Sequence, residues 1–146
     1  MFFKQKYRPI IVRTYSEACD LLRRSGVNVV RRQADGRTVS SSIVIVNGMS
    51  WLFNGDNRGF TVSRKIKAPT DWNEEAFYSW QLRKNCVVAI YMPEDSTFII
   101  ASHILIDGGV ELKNLGRVVV HFGSVINDFL DAMGMGSDHL CPLELK

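Results

Sequence analysis

Apolar and polar positions along the 146-residue chain change their period several times, and each change predicts an element. The period is helical from Thr14. Ala18, Cys19, Leu21 and Leu22 form a narrow stripe, and Thr14 and Glu17 stand at capping-box spacing. Arg23 and Arg24 suit the negative end of a helix, and Gly26 suits the position just beyond it, so a short helix is predicted over residues 15–25. The period then falls to two. Val27, Val29 and Arg31 share one strand face, and Asp35-Gly36 turns the chain as a hairpin does. The run Ser42–Val46 is apolar on both faces, as a central strand is. Asn47-Gly48 is a strong hairpin signal, after which Met49, Trp51 and Phe53 alternate. Residues 54–59 read as a polar loop, and Phe60, Val62, Arg64 and Ile66 share the face of a fourth strand.

Pro69 closes that strand. Asp71 and Glu74 stand at capping-box spacing, and Trp72, Ala76, Phe77 and Trp80 fall on one helical face. Val88, Ile90 and Met92 then alternate with Val87, Ala89 and Tyr91, and Pro93–Ser96 makes a turn. The strand from Phe98 to Ile106 is apolar on both faces, which predicts a central strand covered on both sides. After Asp107-Gly108-Gly109, apolar residues recur at spacings of three and four from Leu112 to Met133, predicting one long helix. The order α-β-β-β-(β)-α-β-β-α, joined by hairpins, predicts an antiparallel sheet in an α+β fold. Residues 1–13 read as an N-terminal extension, 14–133 as a single domain and 134–146 as a flexible C-terminal tail.

Composition narrows the class. Hydrophobic residues at 46% and charged residues at 23% exclude a disordered or fibrous chain. No stretch approaches the ~18 consecutive apolar residues of a membrane span, and the first residues lack the apolar core of a secretory leader. Three cysteines without paired spacing predict reduced thiols and a cytoplasmic setting. The net charge of +3 conceals a gradient. Lys and Arg outnumber Asp and Glu by nine to three over residues 1–37 and by six to four over 38–85, then trail by three to eight over 86–146.

Candidate chemistry is sparse. Asp138, His139 and Cys141 lack partner ligands at a useful spacing, so no metal site is expected, and no motif implies a cofactor. Cys19 and Cys86 read as buried structural thiols, His103 as a satisfied core histidine and His121 as solvated. No catalytic residue is assigned. The basic cluster Arg23, Arg24, Arg31, Arg32 and Arg37, with Trp51, is the expected partner-binding surface. Leu115, Val118, Phe122, Val125 and Phe129 are the expected helix face of a homodimer. A nucleic-acid-binding domain using the basic front is the alternative, and its affinity would fall steeply with salt.

The stretch Trp72-Asn73, with Phe77 after it, the hairpin over residues 86–106, Gly108-Gly109-Val110, and a long helix carrying Phe122 and Phe129 resemble the YbjN family. The likeness spans roughly residues 14–133. Pro93–Ser96 replaces the family's acidic Asp-Gly turn, and Ser102-His103 stands where the family tends to place carboxylates. That family is described as bacterial regulators of sensory transduction. The resemblance implies a type III secretion chaperone-like fold: a small, non-catalytic, usually homodimeric protein that holds partner polypeptides on apolar grooves or strand edges. It carries over no catalytic residue. An immunity or antitoxin-type protein is a third reading, and it too binds a protein.

Overall fold

The computed structural model describes residues 8–34, 36–56 and 58–143, the side chains of 34 and 37–39 excepted. Strand β1 (Ile11–Val12) is followed by helix α1 (Tyr15–Arg24). The helix begins where its capping chemistry dictates: the Thr14 hydroxyl accepts from the Glu17 N–H at 3.1 Å. Strands β2 (Asn28–Ala34), β3 (Arg37–Val46), β4 (Met49–Gly55) and β5 (Gly59–Lys67) come next. Helix α2 (Glu74–Arg83) leads to β6 (Val87–Met92), β7 (Thr97–Leu105) and β8 (Val110–Glu111). Helices α3 (Leu112–Val120) and α4 (Phe122–Ala132) follow.

The protein is α+β. Six strands form one antiparallel sheet in the order β2-β3-β4-β5-β7-β6, and β1 pairs with β8 as a second, two-stranded sheet. Turn chemistry sets the register. Asn47 and Gly48 take φ of 51° and 81°, the left-handed pair that a tight hairpin needs, and Val46 meets Met49 across them. The expected turn at Asp35 lies outside the described residues, but Ala34 pairs with Arg37 on either side of it. Asn57 of the expected polar loop also lies outside them. The loop shortens because β4 runs to Gly55 and β5 starts at Gly59.

The four α-helices of the described residues pack on one face of the large sheet. Its core joins Leu22 of α1, Phe77 and Trp80 of α2, Leu115 of α3 and Phe129 of α4 to Trp51, Phe53, Phe60 and Phe98 of the strands. Burying each such side chain contributes on the order of 2 kcal/mol.

Several expectations need correction. The second helix is capped by Asn73, whose side chain accepts from the Ala76 N–H at 3.0 Å, rather than by Asp71. The last helix is two helices. It breaks at His121 (φ −91°, ψ 5°), just past three consecutive β-branched residues and where Gly123 meets Trp51 so closely that a Cβ would stand 3.0 Å from the indole. The buried stripe of Leu115, Val119, Phe122, Ile126 and Phe129 survives the break, which is why the periodicity reads as continuous. Ile11 and Val12, expected in an N-terminal extension, are tied to the domain by the pairing of β1 with β8. The tail is docked as far as it is described. Pairing of β4 with β5 ends at Leu52 and Ser63, and Leu140 then bridges Ile66 while the Cys141 N–H donates to the Lys65 carbonyl at 3.1 Å. The Arg64 guanidinium, 6% exposed, fastens this segment by donating to the carbonyls of Ser50 (2.5 Å) and Cys141 (2.6 Å).

Candidate partner-binding surface

Alternation along the strands divides the sheet into two faces. Phe98 and Ile100 of β7 and Phe60, Val62 and Ile66 of β5 point to the helices and are wholly buried. The residues between them point the other way, where no helix of the described residues packs. The strand expected to be covered on both sides is thus covered on one. An unbroken row of paired residues crosses this open face: Val30, Ile43, Leu52, Ser63, Ala101 and Val88. Ile43 is 3% exposed yet stands apart from the helix-covered core. Val30, Val88, Ile90 and Leu105 are exposed on the same face, by 37, 53, 48 and 71%.

One end of the face is polar. The next row pairs Ser41, Asn54, Thr61 and His103. Arg32 donates to the Ser41 hydroxyl at 3.3 Å, and Ser41 donates to the Asn54 carboxamide oxygen at 2.6 Å. The Thr61 hydroxyl lies 2.7 Å from His103 Nδ1. His103 is therefore an exposed surface residue, not a core histidine, because its strand parity aims it away from the helices. At the other end Lys65 pairs with Asp95, and this contact holds the Asp95 carboxyl below and the Lys65 ammonium above their usual ranges. In the β4–β5 turn the Asp56 carboxylate accepts from the N–H groups of Arg58 (2.7 Å) and Gly59 (2.9 Å), which lowers its pKa.

The expected arginine cluster is spread over different roles. Arg23 donates through Nε to the Val29 carbonyl at 2.9 Å and pairs with Asp20. The Arg31 guanidinium lies 5.0 Å from the centre of the Tyr15 ring. Arg32 belongs to the open-face polar row, and Arg24 is exposed at the end of α1. Arg37 lies on β3, and its side chain falls outside the described residues. Trp51, expected on the surface, is 1% exposed, with its ring 6.0 Å from that of Phe122. The expected dimer face is likewise taken up by the fold. Leu115, Phe122 and Phe129 are at most 1% exposed inside the chain's own core, with Val118 and Val125 half-buried beside them. A helix stripe of that breadth is what a sheet requires as its covering layer.

Beneath α1 lies a buried polar knot. The Tyr15 hydroxyl donates to the Phe53 carbonyl at 2.6 Å and lies 2.6 Å from the Ser42 hydroxyl, which is 3.6 Å from the Cys19 thiol. Burial raises the Tyr15 pKa well above its usual value, so the phenol stays protonated and acts as a structural donor. Cys86 is not buried: a φ of 63° at the entry to β6 leaves its side chain exposed. A cavity of about 450 Å³ between α1 and α3 is lined by Ile10, Leu22, Val27, Leu112 and Val120, with Arg8 and Lys113 among its polar residues.

Among the described residues no three of His, Cys, Asp and Glu come together as a metal ion would require, and no helix is long and apolar enough to cross a membrane. Compared with protein-family models, curated proteins and solved structures, the chain matches none.

Sequence reasoning misses the open-face aliphatics because Val88 and Ile90 read only as strand formers. A signal does exist: the alternate positions of β3 to β7 that face away from the helices carry no Phe, Tyr or Trp, whereas those facing the core carry several.

Proposed function

We propose that the domain is a non-enzymatic, cytoplasmic protein-binding module, chaperone-like or adaptor in role and similar to the YbjN proteins, which holds its partner against the helix-free face of the six-stranded sheet. The observation that carries this reading is the exposure of Val30, Val88, Ile90 and Leu105 on one face around a row that is aliphatic except at Ser63. Antiparallel sheets normally turn polar residues to the solvent on an uncovered face. An apolar face left in water forgoes roughly 25 cal/mol per Å² that a partner recovers on covering it, and patches of this kind mark contact sites. The nucleic-acid alternative draws less support, because Arg23, Arg31 and Arg32 are each engaged by the protein's own groups.

The test is site-specific photo-crosslinking in the native cell. A photoreactive residue at position 90, on the open face, is expected to give a discrete protein adduct, and one at position 75, on the outer side of α2, is expected to give none. The paired control is Ile90→Asp, which should abolish binding of the captured partner while the protein stays folded. Equal adducts at both positions, or none at either, would remove the reading.

A further inference from the structure

We infer that the cavity between α1 and α3 binds a free fatty acid of medium chain length. The tail lies along α3 and the carboxylate sits beside Arg8 and Lys113. The site is among the helices, apart from the open sheet face, and it does not depend on the protein-binding reading.

The first observation is a glycine that the fold does not need. Gly116 lies inside α3 in ordinary helical backbone, where glycine weakens a helix relative to alanine. A glycine in a helix is explained when another group comes close, as Trp51 does at Gly123. At Gly116 nothing does: a Cβ there would meet no other element within 4 Å. The space it leaves belongs to the cavity, of which Gly116 is part of the wall. The chain's own packing gains nothing from the missing side chain, whereas an occupant gains room.

The second observation is shape. Leu112, Gly116 and Val120 recur at intervals of four and line one side of α3 along the cavity. Helix residues rise about 1.5 Å each, so this stripe makes a trough about 12 Å long. Leu22 and Val27 form the facing wall. The volume of about 450 Å³ lies in the range of small-molecule sites. With C–C bonds of about 1.5 Å, an extended acyl chain advances roughly 1.25 Å per carbon, so about ten carbons span the trough.

The third observation is charge. The Leu112 N–H donates to the Ile10 carbonyl at 2.8 Å, which brings the segment from Arg8 to the end where α3 begins. Lys113 stands in the first turn at that same end. Both cations line the cavity, and no Asp or Glu is among its described lining residues; Glu111, just before α3, is outside them. The first turn of α3 holds no acidic residue and no side-chain cap, so the helix dipole adds to the positive potential there. An apolar trough that is positive at one end matches an acyl carboxylate in both its parts.

The experiment is isothermal titration of the full chain with sodium decanoate, with folding checked by thermal melts. The wild type is expected to bind one equivalent. Octanoate, shorter by two methylenes, should bind roughly tenfold more weakly. Gly116→Leu fills the trough without meeting another element, so it should weaken decanoate binding by about tenfold or more while the melting temperature holds or rises. Should that variant fail to fold, Arg8→Gln and Lys113→Gln serve in its place. Each should weaken decanoate by about threefold or more and leave the weaker binding of decanol unchanged. Decanoate binding that survives Gly116→Leu in a folded protein overturns the inference, as does decanol that binds as tightly as decanoate. Binding to phosphatidylglycerol vesicles without uptake of free decanoate overturns it in favour of a lipid surface. Absence of any decanoate binding also overturns it, and leaves the protein-binding reading to be decided at position 90.

Discussion

The two faces of the six-stranded sheet are built from alternate residues of the same strands, yet only one of them is a core. On β7, Phe98, Ile100 and Ser102 are buried against helices, while Ile99 and Ala101 are half-buried and His103 and Leu105 are exposed. Both sets are rich in aliphatics, so hydropathy does not separate them. Side-chain volume does. Phe98 stacks on Phe77 at 5.4 Å and meets Phe129 at 5.3 Å, an aromatic layer with no counterpart on the open side. A helix layer stands ~10 Å off a sheet and needs large side chains to fill the gap, whereas a surface can be aliphatic and shallow. Truncating adjacent residues of β7 separates the two faces most sharply. In dilute protein, Phe98→Ala should cost about 3–5 kcal/mol of unfolding free energy in urea and Ile99→Ala about 1 kcal/mol. Equal losses would mean that something covers both faces.

Two further substitutions test polar groups on the covered side. Arg64→Met removes the donors to the Ser50 and Cys141 carbonyls, and should cost about 2 kcal/mol. Because those bonds fasten the C-terminal segment, the Cys141 thiol should also react faster with a disulfide reagent than in the wild type. A stability loss with unchanged Cys141 reactivity would show that Leu140 and Met135 hold the segment without the arginine. Tyr15→Phe leaves the ring and deletes the hydroxyl, at a cost of about 1 kcal/mol. The buried phenol also makes stability depend on pH. Its folded pKa lies above its unfolded value, so its contribution is complete below about pH 10 and declines as pH rises through the alkaline range towards the folded pKa. The difference in stability between wild type and Tyr15→Phe should shrink above that pH, as followed by urea denaturation in a pH series.

Much of this is legible in the chain. The period-two runs, Asn47-Gly48, and the caps at Thr14 and near Asn73 give the α+β class and the antiparallel hairpins. What is not legible depends on long-range pairing. The β1–β8 pair joins residues 11 and 111 through two strands of two residues each, too short for any period to register. The docking of the tail depends on β4 leaving β5 at Ser63, which no local signal records. Of the expected site, Arg32 reaches the open face. Trp51, Leu115, Phe122 and Phe129 turn inward instead, because an amphipathic stripe looks the same whether a domain's own sheet or another chain covers it. Cys86 and His103 mislead for the converse reason: an apolar neighbourhood in sequence implies burial, and a positive φ and strand parity decide otherwise.

The smallest expected effect on stability concerns the two edges of the same sheet. The β2 edge carries Arg31 and Arg32, with an irregularity in register between Arg31 and Gln33; both features discourage a further strand from adding. The β6 edge reads Val-Val-Ala-Ile-Tyr-Met, with no charge and no bulge. It is guarded instead by one side chain. The Gln81 carboxamide of α2 donates to the Val87 carbonyl at 2.8 Å and accepts from the Ala89 N–H at 2.6 Å, taking two of the places that an incoming strand would use. Gln81→Ala frees both groups to water, so the loss in unfolding free energy should be at most about 1 kcal/mol. The consequence should appear in association instead: faster growth of thioflavin-positive aggregate on mild heating, with Gln81→Glu intermediate because it keeps the acceptor for Ala89 and loses the donor to Val87. If Gln81→Ala aggregates no faster than the wild type, α2 itself shields the edge by its bulk, and the contrast between a charged edge and a clamped one reduces to a contrast between a bare edge and a covered one.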